Sequence, residues 1–309
     1  MAIELGKNNS GSLKSKIIST LYAVSMIIVT ILIVASAFCD ESINGIDYHI
    51  GFSGRAAVGL TQASGKIAKA IADKPTIKNA AIRKGTKIIK SGLFLSCTSL
   101  ETAIMPDSVT TMEDEVFCGC RRLYAVTLSS QLTEVPDKTF FGCSKLVKVN
   151  IPDNAVSIGK NAFAGCRSLK NITIPGRVTI IESRAFAQCT ALESIIIPEN
   201  TVKIGAECFQ HCENLKNAAL PSQLKTIEHQ TFANCKKLQT IVIPGQVSSI
   251  KQEAFKDCTS LASASIPDSV AAIEENAFSG CANLKTVSIS KQTQVQASAF
   301  PPHTKITRR

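Results

Sequence analysis

The sequence predicts an α/β solenoid, a right-handed coil of about nine or ten turns with a parallel β-sheet along one face. Three observations carry that prediction. The motif Phe-x-x-Cys-x-x-Leu occurs nine times, from Phe94-Cys97-Leu100 to Phe278-Cys281-Leu284, and each Phe follows the last by 23 residues. Each Leu leads into an alternating apolar run that closes with Pro in most copies, as in Ile195-Ile196-Ile197-Pro198 and Ile241-Val242-Ile243-Pro244. The 309 residues are 45% hydrophobic but only 5% aromatic, with no Trp, so the core is aliphatic; 11 Pro and 17 Gly are too few for a low-complexity or collagen-like chain.

The elements follow in order. Period-2 alternation of β-branched residues makes a short strand, and Pro ends its ladder. A second apolar pair, such as Val178 and Ile181 or Val247 and Ile250, gives an extended or helical return. A turn of small residues, Asn161-Ala162 or Asn276-Ala277, then leads into the next Phe. Gly119, Gly142, Gly165 and Gly280 precede the Cys, where a left-handed backbone is often needed. One repeat cannot bury its own apolar side, so neighbours must stack into a continuous column with strands about 4.8 Å apart. Along each strand Ile172 and Ile174 point inward, and Asn171 and Thr173 outward.

The unit Leu-x-x-Ile-x-Ile-Pro-x-x-Val-x-x-Ile-(Gly/Glu)-x-x-Ala-Phe-x-x-Cys-x-x-Leu resembles the leucine-rich repeat of the BspA-like, or Treponema-type, surface proteins from Phe94 to about Phe300. The resemblance implies a secreted or surface-attached protein, several members of the family being adhesins. It implies no catalytic residue and fixes no binding residue. Ser129 and Ser290 stand where the pattern expects Pro.

Outside the repeats, residues 1–16 are expected to be a cytoplasmic N-terminus. Residues 17–39, free of charge, form a transmembrane anchor or a signal peptide. Twenty-three helical residues span roughly 35 Å, enough for a hydrocarbon core of about 30 Å. Lys7, Lys14 and Lys16 precede this stretch and Asp40 and Glu41 follow it, which places the repeats outside the cytoplasm. The expected location is therefore the cell membrane, single-pass, or secreted if cleavage follows Ala37 in the Ala35-Ser36-Ala37 site. Residues 40–53 read as a linker. Residues 54–92 read as a capping helix, over about 54–72, followed by a degenerate first repeat; Leu60, Ala63, Ile67 and Ile71 carry the helical spacing. The repeat domain runs over 93–300, and 301–309 are a C-terminal tail. Little remains there to seal the last coil, so self-association through the C-terminal end is expected, unless Lys305, Arg308 and Arg309 blunt the edge.

The net charge is +10. Much of it lies between Lys66 and Lys90, opposed only by Asp73. No aromatic residue interleaves these lysines, so a solvated face is preferred to a nucleic-acid platform.

Nine of the 12 cysteines are repeat positions. A core ladder of small apolar thiols, a disulfide framework, a metal site and a nucleophile are the competing readings. Side chains stacked in register do not point at one another as a disulfide requires, which favours the core ladder. Reduced thiols outside the cell would then suggest a low-oxygen setting. Cys118 and Cys208, off the ladder, are expected nearer the surface. Cys208-x-x-His211-Cys212 lacks a fourth zinc ligand at usual spacing. Asp107, Asp153, Glu199 and Asp268 sit at turns and are read as turn acids, not acid–base catalysts. No enzyme and no cofactor or metal is expected.

That leaves the outward strand positions as the candidate partner-binding face. One column contributes Thr102, Lys148, Asn171, Ser194, Asn217 and Thr240; the other contributes Ile104, Thr127, Asn150, Thr173, Ile196, Val242, Ser265 and Ser288. Both columns are small and nearly uncharged, which suits either a solvated sheet or a flat surface for a protein, with Ile104, Ile196 and Val242 as its apolar contacts. The expected partner is an extracellular or cell-surface protein. The alternative is an envelope-associated structural protein with no specific ligand.

Overall fold

The computed structural model describes residues 39–43, 46–51, 54–57, 77–82 and 84–309. From residue 77 onward the chain is a stack of coils whose apolar side chains form one continuous core, from Ile77 to Phe300. Every coil but the one at 171–173 contributes a strand of two to four residues to the front face, for example Thr102–Ile104, Ala125–Thr127 and Ser194–Ile196. All pairings on this face are parallel, and partners lie one repeat apart, as in Thr102↔Ala125, Ser194↔Asn217 and Thr240↔Ser263.

The return side is also extended. Two-residue strands such as Ser157–Ile158, Ile180–Ile181 and Lys203–Ile204 pair in parallel to form a second ladder. Among the described residues there is no α-helix, so the coil is β on both sides and not α/β. The reason is local: a return of Val-x-x-Ile between two turns has room for only one apolar step on each side, too short for a helical stripe.

The phenylalanines form the spine. Nine successive ring pairs from Phe94 to Phe300 stack with centroids 4.9–5.6 Å apart and planes within 20°. Beside them the Sγ–H of each repeat cysteine from Cys120 to Cys281 donates to the carbonyl of the Phe one coil back, at 3.0–3.3 Å. The thiols therefore point at backbone oxygens and not at one another. Cys208 departs from expectation. It is fully buried, because the position before each Phe faces inward, whereas Cys118, on the residue after, is half-exposed.

The corner before each Cys is left-handed in every coil. The four glycines there have φ of +72° to +77°, and Ser96, Gln188, His211, Asn234 and Asp257 adopt the same hand without being glycine. A second left-handed corner falls two residues before each Phe, at Glu115, Lys138, Asn161, Arg184, Glu207, Gln230, Glu253 and Asn276. The stacked ladders impose these conformations against an intrinsic cost of roughly 1–2 kcal/mol per residue.

Both ends differ from expectation. Cys39–Ile43, Ile46–Gly51 and Gly54–Ala57 form an antiparallel three-stranded sheet, with Cys39 opposite Ile50 and Tyr48 opposite Ala57. The described residues of the expected linker over 40–53 thus lie in a sheet. The expected capping helix is a strand over its first four residues, and that strand approaches the first front strand, Asn79–Ala81. Residues 58–72 of that helix, and residues 1–38 with nearly all of the expected membrane span, lie outside the described residues; Cys39, the last residue of that span, is in a strand. Among the described residues no helix is long and apolar enough to cross a membrane.

At the other end, residues 301–309 are not a tail. Lys305–Arg308 pairs in parallel with Thr286–Ile289 and closes the front ladder. Arg309 reaches back to the Ile266 carbonyl at 2.7 Å and Asp268 at 2.9 Å, and Arg308 donates to the carbonyls of Lys291 and Thr293. Deleting 301–309 removes several hydrogen bonds worth roughly 1 kcal/mol each and bares the Thr286–Ile289 edge. The truncated chain is expected to melt earlier and to form dimers in light scattering, while the full chain at the same concentration does not.

Candidate functional site

The outward strand positions stand where alternation put them. Of the candidate face residues, Ile104, Thr127, Lys148, Asn150, Asn171, Thr173, Ser194, Ile196, Asn217, Thr240, Val242, Ser265 and Ser288 are exposed, and Thr102 is half-buried with its hydroxyl donating to Asn79 Oδ1 at 2.6 Å. They do not form one site. The structure gathers Asn150, Asn171, Thr173, Ser194 and Ile196 around a cleft of about 780 Å³ and leaves the others on the short parallel sheets of the front face.

The cleft comes from a break in the front ladder. Lys148–Val149 pairs with the preceding coil, and Ser194–Ile196 pairs with the following one. Between them Asn171–Thr173 pairs with neither, and its main-chain N–H groups have no partner among the described residues. The return ladder runs unbroken through the same coils, from Ser157 to Ile180 to Lys203. The stack is therefore held on one side and open on the other.

Asn150 stands at the edge of this opening. Its side-chain Oδ1 accepts the Leu128 N–H at 2.8 Å, and its Nδ2 donates to the Leu128 carbonyl at 3.3 Å. In the coils before it, backbone carbonyls take that role: the Ile104 carbonyl accepts the Ile82 N–H and the Thr127 carbonyl accepts the Met105 N–H. The amide side chain stands in for backbone at this step, and the pairing of its strand ends at Val149, still in the common register with Val126. The next coil, Asn171–Thr173, then loses its template. Ile172 is consequently only half-buried, where its equivalents Ile195 and Ile241 are buried.

The walls carry Val149, Ile172, Ile174, Pro175 and Pro198, with Ile196 on the rim at 75% exposed, the most exposed large apolar side chain among the described residues. Val242, 69% exposed, is two coils further on; Ile104 is four coils away in the other direction and belongs to no common patch with Ile196. Apolar walls beside unsatisfied main-chain groups suit a polypeptide, which offers both kinds of complement.

The other candidate groups resolve into structure. Asp107 accepts the Ser130 N–H and hydroxyl, both at 2.9 Å, and Glu199 accepts the same pair from Ser222. Those bonds, the backbone one first, hold both carboxyls below their usual range. Each ties a turn to the next coil. Asp153 lines the cleft, and Asp268 pairs with Arg309. Cys208 and Cys212 are sealed in the core, and among the described residues no three metal-ligating side chains converge.

The family described as the BspA type leucine-rich repeat region, in six copies, matches residues 67–193 and 179–307. Among solved structures, a leucine-rich repeat protein from Eubacterium ventriosum is similar at 20% identity over 86% of this chain and 95% of that one, with a TM-score of 0.51. A leucine-rich cell surface protein from Faecalibacterium prausnitzii is similar at 22% identity over 83% and 96%, with a TM-score of 0.41. A leucine-rich repeat protein of T. pallidum is similar at 21% identity over 72% and 91%, with a TM-score of 0.45. No curated protein matches the chain.

Proposed function

The chain belongs to the BspA-type leucine-rich repeat family, and from that premise we propose that it is displayed outside the cytoplasm and binds another protein through its front face. The observation that carries this reading is the open ladder at Asn171–Thr173 beside Ile196. An extended segment of the partner can enter the cleft, take up the unpaired N–H groups and bury an apolar side chain against Ile172 and Ile196. Rigid coils on both sides keep the ordering cost low. Export, with or without a retained anchor, rests on the sequence of residues 17–39, and adhesion is the activity that a displayed protein-binding surface supports. Self-association through the C-terminal end would have to use the outer edge of Lys305–Arg308, where charged side chains oppose pairing.

The test is capture of cell-surface and matrix proteins on the immobilised full-length chain. Ile196→Asp places a charge on the apolar rim of the contact and is expected to lower retention at least tenfold, while Ile104→Asp, four coils away, leaves it unchanged. Both side chains are exposed, so both variants keep the parental melting temperature. Equal retention by all three chains would sink the front-face reading and favour a structural protein of the envelope.

A further inference from the structure

A second groove, of about 680 Å³, opens at the left-handed corner of the coils, and it shares no residue with the front cleft. Its floor is made of small residues, Gly142, Ala164, Gly165 and Ala187, and three arginines, Arg121, Arg167 and Arg184, stand along it. No carboxylate lines it. Arg184 is held by Glu207 in a two-pronged pair, with both N–H···O distances 2.9 Å. The guanidinium groups of Arg121 and Arg167 have no acidic partner among the described residues.

Five lysines elsewhere along the stack are neutralised by a carboxylate. Lys90, Lys138, Lys216, Lys236 and Lys251 each pair with a Glu one repeat away. Arg121 and Arg167 occupy one column, four residues after Phe117 and Phe163, with Ser144 between them. The coil steps there are 5.5 and 5.2 Å, so the two arginines rise from points about 11 Å apart along the stack. Two planar cations rising from points that far apart can each take an anionic group of its own. A chain in an extended conformation advances about 3.1–3.3 Å per residue, so carboxylates three residues apart match the spacing. Arg binds a carboxylate through two parallel N–H donors, which Lys cannot reproduce.

We propose that this groove binds an extended acidic segment of a protein partner, with Arg121 and Arg167 each taking a carboxylate and the glycine floor admitting the segment's main chain close to the coil. Phe141, 44% exposed at the groove's edge, offers an apolar contact beside the charges. The groove is a contact separate from the front face, so either can fail without the other.

The experiment uses the full-length chain and a fluorescent twelve-residue peptide with Glu at every third position, followed by anisotropy. Binding is expected for the Glu peptide, absent for the same peptide with Gln in place of Glu, and weakened by salt. The double variant Arg121→Gln/Arg167→Gln should lose affinity at least tenfold, with an unchanged melting curve because both side chains are exposed. Ile196→Asp should bind the peptide as the parent does. The proposal fails if the double variant binds the peptide normally. It also fails if a sulfated oligosaccharide binds and the Glu peptide neither binds nor competes.

Discussion

Phe186→Ala should lower the free energy of unfolding by about 3–5 kcal/mol, the range for removing a fully buried aromatic ring and leaving a cavity. Phe186 is fully buried, and its ring lies between those of Phe163 at 5.2 Å and Phe209 at 5.6 Å. The cavity cannot collapse from above or below, because each neighbour is fixed by its own coil and by backbone bonds such as Phe186 N–H to the Cys208 carbonyl at 2.9 Å. In a stack where each coil touches only its neighbours, a weakened central interface also divides the cooperative unit. Urea unfolding of Phe186→Ala should therefore show a lower midpoint and a shallower, two-step transition. Phe300→Ala at the C-terminal end, where the ring is 8% exposed and has a partner on one side only, should lower the midpoint less and keep a single step. Equal losses at the two sites would mean that the rings do not act as a stacked column.

These expectations were open to sequence reasoning because a strict period turns one residue's environment into nine. Phe, Cys and Leu at fixed spacing specify the spine, and Gly119, Gly142, Gly165 and Gly280 mark the left-handed corner. The second such corner escaped because Glu115, Lys138 and Arg184 carry no conformational signature; stacking forces a backbone that composition does not announce. The first position of the return hid another rule. Thr201 and Thr293 replace Val there and are buried all the same, each hydroxyl donating at 2.8 Å to a carbonyl one coil back. At the N-terminus the dipeptide Asn44-Gly45 lies between Cys39–Ile43 and Ile46–Gly51, and it is the strongest short hairpin signal in a sequence. It points to the sheet that replaces the expected linker. The cleft was half legible. Alternation gave the exposed residues, but Asn150 looks like any outward Asn, and neither its amide bonds to Leu128 nor the opening one coil later has a sequence signal. The closing strand Lys305–Arg308 was hidden by Pro301-Pro302 and by a last coil shorter than 23 residues, since Thr286 pairs with Lys305.

Raising the pH from 8 to 10 should unfold the protein, and the thiol ladder is the reason. Burial pushes Cys97 up to about 11 and Cys189 to about 12. Desolvation likewise raises Cys120, Cys143, Cys166, Cys212, Cys235 and Cys258, and Cys208 off the ladder. In the unfolded chain a thiol ionises near pH 8.5. Below that value both states hold their protons and the thiols add no pH dependence. Above it the unfolded chain releases protons that the folded chain keeps, so stability falls as pH rises, and for Cys97 the loss continues to about pH 11. Each group contributes about 1.4 kcal/mol per pH unit, and nine such groups give a loss on the order of 10 kcal/mol between pH 9 and 10, comparable to the whole stability of an ordinary domain. Lysines ionise higher, near 10.4, and losing their charge from a chain of net charge +10 would reduce repulsion, the opposite effect. Under reducing conditions the urea midpoint should be flat from pH 7 to 8 and collapse by pH 10, and Cys143→Ala/Cys166→Ala/Cys189→Ala should make that fall shallower. An unchanged midpoint at pH 9.5 would show that the thiols ionise as easily in the coil as outside it. The same desolvation alters what the cysteines say about the protein's surroundings. Oxidation proceeds through the thiolate and needs access, and these thiols have neither near neutral pH, so a reduced ladder outside the cytoplasm requires no low-oxygen setting.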